Sequence, residues 1–221
     1  MNITFLIGNG FDINLGLKTR YADFYDYYQE HASEDSMILQ LMREDNNKEN
    51  WADLELALGE KLKGISEDSV DSFMDAHAEL YSLLLDYLEE EQKKYTVEKM
   101  KEEIIQELVR SLKELPKELS TEEIRSYQAT CDTYKNEEIR YSFITFNYTD
   151  ILDEIIKNAK SANPDLGTHT ATNGQNRKHN LGEVHHVHGS LMEGVVLGVN
   201  DESQINNVRA RRYEPIKAIG I

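Results

Sequence analysis

The apolar residues of this chain change period twice, and that change limits the fold more than any other feature of the sequence. From residue 21 to about residue 138 they recur with the period of helices, whereas strand-like runs occur only before and after that stretch. Tyr21, Phe24, Tyr25 and Tyr28 open the helical tract at i, i+3, i+4 and i+7. Trp51, Leu54, Leu58 and Leu62 make a later stripe, and Val70, Phe73, Met74, His77, Leu80, Tyr81, Leu84 and Leu88 another. Val97, Met100, Ile104, Leu108 and Leu112 make one more, which Pro116 is expected to end because proline removes a helical N–H. Ser120 followed by Glu123 predicts a capping box for a further helix.

Outside that tract, Ile3, Phe5, Leu6 and Ile7 read as a short buried strand stopped by Gly8-Asn9-Gly10. Arg140 to Phe146 has strand composition, Asn147-Tyr148-Thr149 breaks it, and a helix is expected from about Asp150 to Lys160. Polar residues 161–182 read as a loop, and two more strands are expected at Glu183–Val187 and Val195–Val199. Residues 202–221 are basic and weakly patterned. Strand, glycine turn, helix, strand, polar turn, helix, strand is the order of an α/β fold with a Rossmann-like parallel sheet. Residues 1–20 and 139–221 would form its nucleotide-binding core, and residues 21–138 a large α-helical insertion. Ligands of such sheets lie beyond the carboxyl ends of the strands, where Gly8–Asp12, Asn147–Asp150 and His188–Ser190 fall.

Charge divides along the same boundary. The 221 residues carry 24 basic and 41 acidic side chains, a formal net charge of −17. Residues 21–138 hold 13 of the basic and 31 of the acidic groups, a net of −18, and the remainder is left at +1. A near-neutral core can accept a doubly phosphorylated ligand, while the acidic insertion faces solvent or a basic protein partner. Nucleic acid is not an expected partner, since its binding rests on neutralising phosphates. No apolar run approaches the roughly 18 residues of a spanning helix, so no membrane is expected. Nothing in Met-Asn-Ile-Thr-Phe-Leu-Ile marks a signal peptide. The single cysteine, Cys131, allows neither an internal disulfide nor a multi-cysteine zinc site, and suits a reducing cytoplasm.

Three turns carry the residues of chemical interest. Gly8-Asn9-Gly10 follows a strand, so its backbone N–H groups could approach an anion, but a glycine turn also serves simply to let a strand meet a helix. A dinucleotide fingerprint would have a third glycine where this chain has Ile13, and no Gly-Lys-Ser/Thr follows for a P-loop. Asn147 can donate and accept together, which suits a ribose hydroxyl or a water as well as a plain turn. In His185-His186-Val187-His188, alternate residues share a strand face, so His186 and His188 suit a metal ion, or His188 alone suits a general base. His77 lies on an apolar stripe and reads as a core histidine.

Taken in order, Gly8-Asn9-Gly10-Phe11-Asp12, Gly16-Leu17, Thr145-Phe146-Asn147-Tyr148-Thr149 and His188-Gly189-Ser190 resemble the signature of the sirtuin-like NAD-binding fold. There, Gly-Ala-Gly-x-Ser and Gly-Ile-Pro-Asp are followed by Thr-Gln-Asn-Ile-Asp and His-Gly. Within that group the chain is most similar to the AbiH abortive-infection family of bacterial phage-defence proteins. Trp51-Ala52-Asp53-Leu54-Glu55 and Leu197-Gly198-Val199-Asn200-Asp201 add to that similarity. The resemblance implies NAD as substrate, cleaved to nicotinamide and ADP-ribose, with Asn147 and His188 as the catalytic pair and no metal. It implies NAD contacts from Gly8, Asn9, Gly10, Phe11, Asp12, Thr145, Thr149, Asp150, Gly189 and Ser190, and a regulated assembly such as a homo-oligomer. The family aspartate falls on Thr149, with Asp150 one position late, and the zinc-binding cysteines of deacetylases are absent. Two alternatives stand beside this reading: a non-catalytic sensor of NAD or ADP-ribose, and a metal-dependent hydrolase built on His186, His188 and Asp201.

Overall fold

Four strands pair into one sheet: β1 (Asn2–Ile7), β2 (Ile139–Thr145), β3 (Thr168–Thr170) and β4 (Asn176–His186). Their order is β1-β2-β4-β3, with β1, β2 and β4 parallel and β3 antiparallel at the far edge. The computed structural model describes residues 1–45, 51, 53–95 and 97–197. Among them are eight helices: α1 (Gly10–Asn14), α2 (Tyr21–His31), α3 (Met37–Asp45), α4 (Leu54–Gly64), α5 (Val70–Lys94), α6 (Val97–Glu118), α7 (Thr121–Thr133) and α8 (Ile151–Ala162). A hairpin of two-residue strands, β5 (Gly189–Ser190) and β6 (Gly194–Val195), follows. Among the described residues no helix is long and apolar enough to cross a membrane. The chain is thus a mixed α/β protein with a mostly parallel sheet, and it divides into two units. A sheet unit comprises Met1–Gly8, Thr96–Phe146 and Asp150–Val187, and a helical unit comprises Asn9–Tyr95, Asn147–Thr149 and His188–Ile221. The tract 21–138 is therefore shared between them, α6 and α7 belonging with the sheet.

In the sheet unit, β2 runs between β1 and β4 and buries alternate residues, Ile139, Tyr141, Phe143 and Thr145. Helix α8 turns Ile151, Leu152, Ile155, Ile156 and Ala159 inward at i, i+1, i+4, i+5 and i+8. It ends at Asn163, whose left-handed φ of 47° lets its N–H reach the carbonyls of Ala159 and Lys160. The expected buried strand at the N-terminus is instead an edge strand among the described residues: its residues alternate between exposed and half-buried, and Leu6 is 69% exposed. Residues 161–182 are not a loop throughout, because β3 and the first half of β4 form an antiparallel hairpin there, Thr168 to Thr170 pairing with Lys178 to Asn176. Their alternation is of polar residues, so no hydrophobic period announced it. Pro116 does not end α6, which continues to Glu118. The Ser120–Glu123 capping box forms as expected. Gly182 sits at an irregularity of register between β2 and β4, where a Cβ would lie 2.3 Å from Ser142 Oγ.

In the helical unit, one core gathers Phe24, Tyr28, Leu39, Trp51, Leu58, Phe73, Leu80 and Leu84 from α2 to α5 and the segment before α4. The expected stripe of α5 is buried at Val70, Phe73, Met74, His77, Leu80, Leu84 and Leu88. Asp53 caps α4 by accepting the Leu56 N–H at 3.0 Å, so within Trp51-Ala52-Asp53 the tryptophan fills core and the aspartate starts a helix. The segment after α1 is tied to α5: Tyr87 Oη donates to the Lys18 carbonyl at 2.6 Å, and Glu91 accepts the Lys18 N–H at 3.1 Å. Of the expected strand Val195–Val199, only Val195 is in a strand, and residues 198 and 199 lie outside the described residues.

Candidate functional site

The helical unit brings two of the three sequence turns onto one carboxylate. Helix α1 is a single turn, with Asn9 at its N-cap position and Asp12 directed inward, 1% exposed. Asn147 Nδ2 donates to Asp12 Oδ1 at 3.0 Å, and Thr149 Oγ1 donates to Asp12 Oδ2 at 2.7 Å. All three side chains are buried. An ionised carboxylate only accepts, so the Asn147 amide must turn its nitrogen toward Asp12, and its orientation is fixed by chemistry. Asn9 is held separately: its Nδ2 donates to the Thr19 carbonyl at 2.9 Å, and Thr19 Oγ1 donates to its Oδ1.

The third turn joins the same unit through Tyr148. The Leu191 N–H donates to the Tyr148 carbonyl at 2.8 Å, and the Tyr148 ring meets His188 edge-on with centroids 6.4 Å apart. Tyr148 Oη lies 3.0 Å from Tyr21 Oη. The His188 carbonyl accepts the Val196 N–H at 2.8 Å, so the histidine stands at the mouth of the β5–β6 hairpin. Tyr148, the chain neighbour of Asn147 and the ring that meets His188, is a residue that sequence reasoning left unassigned.

The glycines have different reasons. Gly189 has φ of +73°, and a Cβ there would come within 1.9 Å of the Gly194 carbonyl oxygen, so the hairpin itself requires it. Ser190 is buried and accepts the Glu193 N–H on its Oγ at 3.2 Å, which is a turn contact. At Gly8, and equally at Gly10, an added Cβ would meet nothing within 4 Å among the described residues, and neither residue needs a positive φ. Packing among the described residues therefore does not explain glycine at these two positions. Phe11 is half-buried on α1, its carbonyl accepting the Leu15 N–H at 3.2 Å.

The sheet unit holds a separate cluster. Thr145 ends β2, fully buried, pairing with Ile7 on one side and His186 on the other. His186 Nε2 lies 2.8 Å from Asp153 Oδ2, and one ligand atom from each of Asp150, Asp153 and His186 lies within 4.8 Å of the others. His185, on the opposite strand face, is exposed. Of the alternative set His186, His188 and Asp201, His188 belongs to the helical unit and Asp201 lies outside the described residues. The signal for Asp153 was its i, i+3 spacing from Asp150 at a helix start. His77 is the core histidine expected, 5% exposed, and burial lowers its pKa.

A family model described as bacteriophage abortive infection AbiH matches residues 4–219. No curated protein and no solved structure matches the chain.

Proposed function

The chain belongs to the AbiH family of bacteriophage abortive infection proteins, and from that membership we propose that it is a defence effector that binds NAD and hydrolyses it to nicotinamide and ADP-ribose. The observation that carries this reading is the buried Asp12–Asn147–Thr149 cluster, which fixes the Asn147 amide, while the ring of its chain neighbour Tyr148 meets His188 edge-on. In the proposed reaction the C1′–N bond of the nicotinamide riboside breaks, and its electron pair neutralises the pyridinium nitrogen. Water adds to the oxocarbenium-like ribose and loses a proton. Because the leaving group is already cationic, little acid catalysis is needed, and the work is positioning and charge stabilisation. Asn147, its nitrogen committed to Asp12, would orient a ribose hydroxyl or the water through its amide oxygen, and His188 would take the proton.

In the same proposal the glycine turn lies against the pyrophosphate, which accounts for the open space around Gly8 and around Gly10. Residues 1–20 and 139–221 would be a sirtuin-like core acting on cytoplasmic NAD. Control would fall to an assembly of copies of the chain or to a basic protein on the acidic tract 21–138. The test is nicotinamide release from NAD by purified protein, alone and with phage-derived activators. Asn147→Ala and His188→Ala are each expected to lower the rate about a hundredfold or more. A parent protein that releases no nicotinamide in any of these conditions refutes hydrolysis, and NAD bound but recovered intact would point to sensing instead.

A further inference from the structure

We propose that Asp150, Asp153 and His186 form a binding site for one divalent transition-metal ion at the carboxyl edge of the parallel strands. Three elements of local structure converge to make it. Asp150 is the N-cap residue of α8 and Asp153 lies three residues later in its first turn, which places both carboxylates at the helix start. His186 is the last residue of β4, paired with the last residue of β2. The cluster therefore lies where open parallel sheets receive their ligands, an expectation from topology that owes nothing to the side chains themselves.

The geometry fits a shared ion. Donor atoms bound to one cation at about 2.0–2.4 Å stand about 3–4.5 Å apart, and here the three lie within 4.8 Å of one another, with two of them at 2.8 Å. An ion would replace the hydrogen now shared by His186 Nε2 and Asp153 Oδ2, and small side-chain rotations would complete the set. Asp150, the N-cap residue of α8, is only 4% exposed. The His186 side chain is 6% exposed and that of Asp153 40%, so the set is closed toward the protein and open to water on one side. Three protein ligands and an open side leave coordination positions for water or a ligand oxygen.

The donor chemistry narrows the ion. Two carboxylates bring two negative charges that a divalent cation neutralises, and an imidazole favours Mn²⁺ or Zn²⁺ over Ca²⁺ and Mg²⁺. This assignment stands apart from the NAD reading, which expects no metal, and it is tested without NAD.

The test is titration of the purified full chain with Mn²⁺, free ion being read from its paramagnetic resonance signal. One ion per chain is expected, with Asp153→Asn and His186→Ala each weakening binding at least tenfold. His188→Ala, in the other unit, should leave it unchanged. Asp153 is the informative position because its exposure makes a folded variant the expected outcome, and circular dichroism confirms the fold. Zn²⁺ should displace the bound Mn²⁺ one for one, as binding order requires of a set containing imidazole. Absence of stoichiometric binding, binding untouched by both variants, or Mn²⁺ that Zn²⁺ cannot displace would each overturn the assignment.

Discussion

Replacing Asp12 by alanine removes the only charged member of the buried Asp12–Asn147–Thr149 cluster and leaves two donors, the Asn147 amide and the Thr149 hydroxyl, facing a void. A buried donor left unsatisfied costs about 1–3 kcal/mol, so the two together cost about 2–6 kcal/mol. Removing a buried carboxylate returns part of that, which puts the net loss near ~3 kcal/mol. Asp12→Asn tests the reasoning more sharply than alanine does. Its oxygen can still accept from Asn147, and its nitrogen can donate to Thr149, whose hydroxyl reverses to accept. Only the charge-assisted part of each bond is lost, and the expected cost is about 1 kcal/mol. Urea unfolding of both variants at constant slope gives the two numbers. A double-mutant cycle with Asn147→Ala isolates the shared bond, expected to couple by about 1–2 kcal/mol. Asp12→Ala within about 1 kcal/mol of the parent, or asparagine as costly as alanine, would refute the claim that hydrogen-bond satisfaction holds these turns together.

The remaining outcomes concern glycine and histidine. Gly189→Ala should cost more than about 2 kcal/mol, since it combines a left-handed φ with a 1.9 Å approach to the Gly194 carbonyl. Gly10→Ala should leave thermal stability unchanged or raise it by up to about 1 kcal/mol, because its Cβ meets nothing and helices favour alanine, yet it should weaken NAD binding measured by calorimetry. An equal affinity in that variant would count against the pyrophosphate contact. Burial holds the His77 pKa below its ordinary 6.5, so folding favours the neutral ring. Its stabilising contribution is complete above pH 6.5 and is lost as pH falls through the depressed value. His77→Gln should therefore unfold with a shallower pH dependence than the parent between pH 6.5 and 5, and identical slopes would show that the ring is not the source.

The helices were legible because their information is periodic. The stripes of α2 and α5 bury the residues expected of them except Tyr21 and Tyr81, which are partly buried, and the Ser120–Glu123 box, a local signal, forms as written. What escaped was information carried by pairing. The β3–β4 hairpin alternates polar residues whose register is set by its neighbour strand, and an edge strand such as β1 has the composition of a buried one without the cover. The candidate site divides in the same way. Asn147 and His188 were legible as unusual residues at the ends of strands, but nothing local reveals that Asp12 binds Asn147, 135 residues away, or that His186 turns to Asp153. The Rossmann expectation rested on order along the chain, whereas the spatial order β1-β2-β4 runs in one direction among the described strands, with β1 at an edge. The reversal that marks a doubly wound ligand crevice is not at the glycine turn in that set.

The donor that Thr149 presents to Asp12 can be tested directly. Thr149 Oγ1 donates to Asp12 Oδ2 at 2.7 Å, and an acceptor-only carboxylate requires a donor opposite it. Thr149→Ser keeps the donor and should cost less than about 1 kcal/mol. Thr149→Asp sets two carboxylates against each other, and at an effective dielectric of about 20 their repulsion at that separation is about 6 kcal/mol. A proton shared between them relieves it, so at pH 7 the penalty is capped near the cost of protonating one carboxylate, about 4 kcal/mol. The sign of the pH dependence follows. The folded variant holds a proton that the unfolded chain releases above its ordinary carboxylate pKa, so stability must rise as pH falls from 7 toward 5. Urea unfolding at pH 7 and pH 5 reads this without any assumption about ligand. If Thr149→Asp shows the parent's pH dependence, the two side chains do not face each other.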